Sequence, residues 1–181
     1  IIEEIESKQG KGHRRCPEHL AIIGPSGSGK TTLIEHLKRR FPRTVSENDD
    51  QDIVPLLSAS FPKDVSAVFM AKHLLKQLGD PDYEERDFDS AYKKLLSLLD
   101  KCKVDFICFD EFHNIRKGDS LAVSVTAEKF VKDLSNDTKA VMIVFGTSES
   151  EGLIDAVDEL STRFDEYLYM PSYSVFEGQR D

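Results

Sequence analysis

The fold is decided by the segment Gly24-Pro25-Ser26-Gly27-Ser28-Gly29-Lys30-Thr31. It fits the pattern G-x-x-x-x-G-K-[ST] and stands between an apolar run, residues 19 to 23, and a helical pattern that starts at Lys30. Its glycines let backbone N–H groups approach phosphate oxygens, and the following helix adds the positive end of its dipole. We expect Lys30 to bind the β- and γ-phosphates and Thr31 to ligate Mg²⁺. The segment therefore predicts a site for a nucleoside triphosphate, formed by Gly24, Pro25, Ser26, Gly27, Ser28, Gly29, Lys30, Thr31 and Thr32.

Apolar runs alternate with helical periodicity along the rest of the chain. The runs predict strands at residues 19–23, 53–60, 104–110, 140–146 and 166–170, and Pro55 places the second of them at an edge. Helices are predicted at residues 30–40, 67–78 and 89–101, with a fourth capped by Ser120 and a short fifth before the last strand. This series predicts an α/β fold of the P-loop NTPase type, a five-stranded parallel sheet flanked by helices. The site would lie at the carboxyl ends of the strands.

Composition sets limits on the class of protein. The chain has 181 residues, of which 39% are hydrophobic, so it is able to form one full core and is not a largely disordered chain. Its net charge of −9 argues against a surface that coats nucleic acid everywhere. Cys16, Cys102 and Cys108 are odd in number and widely spaced, which suits a reducing compartment. The sequence shows no secretory signal or membrane span, so we expect a cytoplasmic protein without membrane contacts.

An acidic pair ends the third apolar run. Asp110, at the end of a buried strand beside the phosphate loop, is expected to hold Mg²⁺ through water. Glu111 would orient and deprotonate the water that attacks the γ-phosphate. The alternative is two acids that merely end a strand at the solvent. The glutamate favours ATP hydrolysis over phosphoryl transfer to a metabolite, because small-molecule kinases use their acceptor as the nucleophile.

With these residues the chain resembles the AAA+ ATPases and, more narrowly, the TniB/TnsC group of ATP-dependent regulators of DNA transposition. The resemblance rests on four segments, and the run Asp110-Glu111-Phe112-His113-Asn114 is the most specific to the group. It implies an ATPase that assembles as a ring or helical filament on double-stranded DNA and links a target-selection protein to a transposase. The segments are AIIGPSGSGKTTL (21–33), DFICFDEFHNIRKG (105–118), AVMIVFGTSES (140–150) and AVDELSTRFDEYLYM (156–170).

The same resemblance assigns two further residues. Thr147 matches the sensor-1 position, whose polar group reads the γ-phosphate; its alternative is a turn residue at a strand end. Arg163 matches the arginine finger, which reaches into the site of a neighbouring subunit. Its alternative is a surface ion pair with nearby acids, namely Asp158, Glu159 and Asp165.

Contacts with DNA would have to come from local basic groups. Arg116 and Lys117 follow the acidic strand in a loop that faces the central channel in related ATPases, and Lys63 is similarly placed by resemblance. We expect these three to bind phosphates once an oligomer repeats them, with little sequence specificity. The alternative is an ordinary solvated surface.

The expected organisation is an N-terminal helix and basic lead-in at residues 1–17, an AAA+ core at 18–171, and at 172–181 the start of a connection or tail. AAA+ proteins usually carry a helical lid after the last strand. Because the sequence ends eleven residues past Met170, the lid is expected to be absent or truncated. Three other functions remain open: a helicase loader resembling DnaC or IstB, a P-loop small-molecule kinase, and a signalling module that binds ATP and hardly hydrolyses it.

Overall fold

The computed structural model describes residues 1–8, 19–45, 52–63, 66–116 and 124–172. Its main sheet has five parallel strands in the order β4-β5-β6-β1-β7, with helices on both faces. The strands are β1 (Leu20–Ile23), β2 (Thr44–Val45), β3 (Asp52–Ile53), β4 (Leu56–Ser60), β5 (Phe106–Asp110), β6 (Val141–Gly146) and β7 (Glu166–Tyr169). The helices are α1 (Ile2–Lys8), α2 (Lys30–Arg40), α3 (Ala67–Gln77), α4 (Phe88–Lys101), a 3₁₀ helix (Phe112–Ile115), α5 (Val125–Asp137), α6 (Ser148–Asp155) and α7 (Asp158–Ser161).

The sheet is covered on both faces because its strands are apolar on both sides. In β1, Ala21 and Ile23 pack into the cluster formed with α3, α4 and α5. Leu20 and Ile22 point to the other face, where they pack against α1 and α2. This double coverage explains why the strands read as continuous apolar runs and not as alternating patterns.

The second predicted strand is wrong as a single element. Residues 53–60 contain the end of β3, which pairs antiparallel with β2, and the separate strand β4. The break lies at Pro55, which has no N–H but whose carbonyl accepts hydrogen bonds from the N–H groups of Asp105 and Phe106. The prediction of an edge strand is confirmed for β4, the outermost strand beside β5.

The helix after β5 also begins later than the sequence predicts. The described helix α5 starts at Val125, after Ser124 in the N-cap position, and Ser124 makes no side-chain capping bond. Ser120, the predicted cap, lies outside the described residues. Within the described part of the chain, no helix has both the length and the apolar character that a membrane span requires.

Candidate nucleotide site

The loop between β1 and α2 has the backbone geometry of a phosphate cradle. Gly27 and Gly29 have φ values of 78° and 91°, in the left-handed region that L side chains rarely adopt. The helix begins directly afterwards, because the N–H of Leu33 donates to the carbonyl of Gly29 at 2.8 Å. The first N–H groups of α2 have no partner within the helix and are oriented toward the loop, which favours an anion there.

Lys30 is held by the loop itself. Its Nζ donates to the carbonyl oxygens of Gly24 and Pro25 at 2.7 and 2.8 Å, and the side chain is buried. An ammonium group has three N–H donors, so one remains for a phosphate oxygen. The two carbonyl bonds fix the position of the positive charge at the loop.

The two predicted Mg²⁺ ligands are in direct contact. Thr31 Oγ1 donates to Asp110 Oδ2 at 2.9 Å, and Asp110 Oδ1 accepts the N–H of Glu111 at 2.8 Å. A hydroxyl and a carboxylate are hard oxygen ligands of the kind that Mg²⁺ prefers. The described residues include no group of three or more His, Cys, Asp or Glu that could hold a metal by itself. This donor set therefore fits an Mg²⁺ ion that takes its other ligands from phosphate and water.

A cavity of about 480 Å³ lies at this end of the sheet. Its wall includes Lys30 and Thr31 on one side and Glu111 and Thr147 on the other. Ser26, Gly27, Gly29 and Thr32 also line it. Gly24, Pro25 and Ser28 do not; the first two bind Lys30, and the hydroxyl of Ser28 is buried without a hydrogen-bond partner.

Backbone hydrogen bonds join the strand ends that form the cavity. The N–H of Gly24 donates to the carbonyl of Gly146 at 3.0 Å, which links β1 to β6. The N–H of Phe61 donates to the carbonyl of Asp110 at 3.0 Å, which links the end of β4 to β5. Thr147 follows β6 directly, so its half-buried side chain lies beside the loop. The chain thereby brings together residues that are up to 123 positions apart in sequence, from Gly24 to Thr147.

Sequence reasoning assigned no role to two residues of this site. The ring of His113 lines the cavity, and its Nε2 lies 3.2 Å from Glu111 Oε2. Asn114 Nδ2 donates to the carbonyl of Phe61 at 2.8 Å and so fixes the 3₁₀ helix to the end of β4. The signal that could have found them is the run from Asp110 to Asn114, which was identified as specific to the group without a role for its last two members.

Arg163 does not line the cavity. It lies just before β7 and beside His19, at the amino-terminal ends of the strands, whereas the cavity lies at their carboxyl ends. Burial, and secondly the charge of Arg163, lower the pKa of His19 to about 4. Within the described ranges Arg163 forms no ion pair with the neighbouring acids, and Glu159 is instead paired with Lys132 at 3.0 Å. Its Nε is buried and has no hydrogen-bond partner.

Two of the three predicted DNA-binding residues, Arg116 and Lys63, lie within the described part of the chain. Arg116 is half-buried and its guanidinium is paired with Glu149 in the first turn of α6. Lys63 is exposed and lies in a turn between β4 and α3. Lys117 lies outside the described residues.

Comparison with known proteins gives a family match and a set of similar solved structures. The family model described as "Bacterial TniB protein" matches residues 1–174. Among solved structures, the ORC1 protein of Aeropyrum pernix in complex with DNA is similar with a TM-score of 0.65 and 14% identity, covering 96% of this chain and 44% of that one. The ORC2 protein of the same organism, in ADPNP-ADP complexes, has a TM-score of 0.65 and 14% identity, with 94% and 46% coverage. No curated protein sequence matches the chain.

These similarities have different weight. At 14% identity the two structures confirm the predicted AAA+ P-loop fold and nothing finer, and the chain spans less than half the length of either protein. The family match covers nearly the whole chain. The chain belongs to the TniB family.

Proposed function

We propose that this chain is an ATPase that regulates DNA transposition: it binds Mg·ATP, assembles on double-stranded DNA, links target selection to a transposase, and dissolves the assembly by hydrolysis. The proposal rests on the TniB match and, above all, on one observation. Thr31 of the phosphate loop is hydrogen-bonded to Asp110, and the next residue, Glu111, lines the same cavity as Lys30. A loop that only bound nucleotide would not need a glutamate at this point.

Each residue of the site has a defined task in hydrolysis. Bound Mg²⁺ would neutralise negative charge on the phosphate oxygens of ATP. Thr31 and Asp110 would hold that ion, Thr31 directly and Asp110 through water. Lys30 supplies a fixed positive charge, and the loop N–H groups bind phosphate oxygens. Glu111 accepts a proton from the attacking water, and Thr147 contacts the γ-phosphate from the wall formed by the end of β6.

The position of Arg163 supports the proposed assembly. A cationic side chain at the amino-terminal ends of the strands is unable to assist hydrolysis in its own cavity at their carboxyl ends, but it is available to the cavity of a neighbouring subunit. Arg163 is half-buried and forms no ion pair within the described residues, which supports this use. A residue that acts in trans requires a ring or a helical filament.

DNA binding is proposed to depend on that assembly. Arg116, Lys117 and Lys63 provide few phosphate contacts in one subunit, and repetition along an oligomer adds their counterion-release contributions. The structure of the similar ORC1 protein is a complex with DNA, which supports DNA as the ligand. We expect weak binding without ATP and salt-sensitive binding with it, measured by filter binding at several salt concentrations.

The test of the proposed function combines turnover with imaging. Glu111→Gln should keep ATP binding, lose turnover by at least about 100-fold, and accumulate as ATP-bound oligomers on DNA. Lys30→Ala should lose nucleotide binding in calorimetry. Arg163→Ala should bind ATP without hydrolysing it, and mixing it with Lys30→Ala should restore some turnover. Turnover in Glu111→Gln equal to that of the unchanged chain would remove Glu111 from its role.

The partner separates this function from that of a helicase loader. A pull-down that recovers a transposase supports the proposal, and one that recovers a replicative helicase supports the loader. ATP consumption without any acceptor molecule, accelerated by DNA, excludes a small-molecule kinase.

A further inference from the structure

We infer that His113 is a positioning residue that holds the Glu111 carboxylate in place for ATP hydrolysis; the inference rests on the function proposed above. The contact that carries it is the 3.2 Å distance between His113 Nε2 and Glu111 Oε2. Both side chains line the cavity that also contains Lys30, Thr31 and Thr147.

The backbone at Glu111 brings the two side chains together. Glu111 has φ 55° and ψ 38°, a left-handed conformation that non-glycine residues rarely adopt. Its N–H donates to Asp110 Oδ1, and its carbonyl accepts the N–H of Asn114 at 2.9 Å. Asn114 is itself tied to the carbonyl of Phe61. The turn is therefore fixed on both sides, and it directs positions 111 and 113 into the same cavity.

A fixed backbone does not fix a glutamate side chain. Three torsions separate its Cα from the carboxylate, and the Glu111 side chain is 47% exposed. Among the described residues, His113 is the only side chain within ion-pair distance of that carboxylate. Backbone bonds alone would leave the carboxylate free to sample several positions around the cavity.

His113 is suited to this task because its own ring is held. Its side chain is only 22% exposed, and its Nδ1 is buried without a hydrogen-bond partner. The ring is thus confined by packing, and Nε2 is its one polar atom in contact with a charged group. At 3.2 Å, Nε2 lies within ion-pair distance of the Glu111 carboxylate, close enough to restrict where that carboxylate sits. Because Nδ1 has no hydrogen-bond partner, the position of the ring is explained by the contact of Nε2 with Glu111.

This role predicts a specific kinetic signature. Misplacement of a catalytic group by about 1 Å can cost about 100-fold in rate. His113→Phe, which keeps the ring volume, should therefore lower kcat by about ten- to a hundredfold while leaving the Kd for ATP unchanged. His113→Gln, which keeps an N–H donor, should retain an intermediate rate. His73→Phe is the matched control, because His73 is also half-buried and stacks on an aromatic ring, Phe69, away from this cavity.

The decisive experiment is a double-mutant cycle in single-turnover hydrolysis. If His113 acts only through the carboxylate, His113→Phe should have no further effect in a Glu111→Gln background. An additive loss would overturn the inference, as would a kcat for His113→Phe equal to that of the control. If His113→Phe lowers the folded fraction in a thermal melt, the double-mutant cycle with Glu111→Gln is repeated with His113→Gln, and an additive loss in that cycle overturns the inference. A chain that consumes no ATP before any substitution refutes the proposed function itself, whereas a normal rate in His113→Phe refutes only the positioning role.

Discussion

Substituting Gly146 by alanine tests the close packing that places Thr147 at the cavity. Gly146 ends β6, and α6 starts two residues later. A Cβ built on Gly146 would lie 1.9 Å from Ser150 Oγ and 2.5 Å from Ser150 Cβ. Both distances are far below van der Waals contact, and Ser150 is fully buried. Either α6 or β6 has to move to accept the methyl group.

The size of the effect follows from two opposing contributions. Overpacking in a tight core costs about 1–3 kcal/mol, and a clash this short belongs at the upper end of that range. Replacing glycine by alanine restricts the unfolded chain, which returns about 0.4–1 kcal/mol. The net loss is therefore about 2 kcal/mol. At about 2–4 °C per kcal/mol for a chain of this size, Tm should fall by about 4–8 °C.

Thermal unfolding followed by circular dichroism measures this change. Gly152→Ala is the matched control, because Gly152 also lies in this region, within α6, and a Cβ there meets nothing within 4 Å. That substitution should raise Tm slightly, since alanine stabilises a helix interior by up to about 1 kcal/mol relative to glycine. The double variant Gly146→Ala with Ser150→Gly removes both clashing atoms and should recover part of the loss. A Gly146→Ala protein as stable as the Gly152→Ala control would refute the reasoning.

Three further predictions follow from buried or paired groups. His19 has a pKa lowered to about 4, mainly by burial, so the unfolded chain binds more protons than the folded chain between pH 6.5 and 4. The free energy of unfolding should therefore fall as the pH drops below 6.5, by about 3 kcal/mol once the pH is below 4. His19→Gln should flatten a plot of the urea midpoint against pH. The Gln77 amide donates to the carbonyl and accepts from the N–H of Ser58 on the edge strand, so Gln77→Leu should lower the free energy of unfolding by about 1–3 kcal/mol in urea titrations, and an unchanged midpoint would contradict this. Glu149→Gln should free Arg116 and tighten DNA binding up to about fivefold with a steeper salt dependence, since a partly exposed surface ion pair of this kind is worth up to about 1 kcal/mol. Filter binding with equal affinity would exclude Arg116 as a contact.

The sequence was sufficient to predict the phosphate loop and its relation to the acidic pair. The loop is local, so its glycines and Lys30 predict its conformation directly. Asp110 lies 79 positions beyond Thr31, yet both follow parallel strands whose carboxyl ends share one edge. Topology therefore predicted that Asp110 lies beside the phosphate loop, whereas its direct hydrogen bond to Thr31 was not predicted.

Other features depend on contacts that no local pattern contains. The division of residues 53–60 at Pro55 depends on the pairing of β3 with β2, which is set by tertiary structure and not by strand propensity. The contact of His113 with Glu111 depends on a left-handed residue that is not glycine, and sequence patterns give no signal for it. The position of Arg163 opposite its own cavity required the register of β7 on β1.

A structure determined with Mg²⁺ and a non-hydrolysable ATP analogue tests the central claim most directly. We expect the phosphates against the backbone of residues 24–31, the metal bound by Thr31 Oγ1 with Asp110 beside it, and the Glu111 carboxylate facing the γ-phosphate within reach of one water molecule. Nucleotide bound elsewhere, or a Glu111 carboxylate turned out of the cavity when the analogue is bound, would contradict the account.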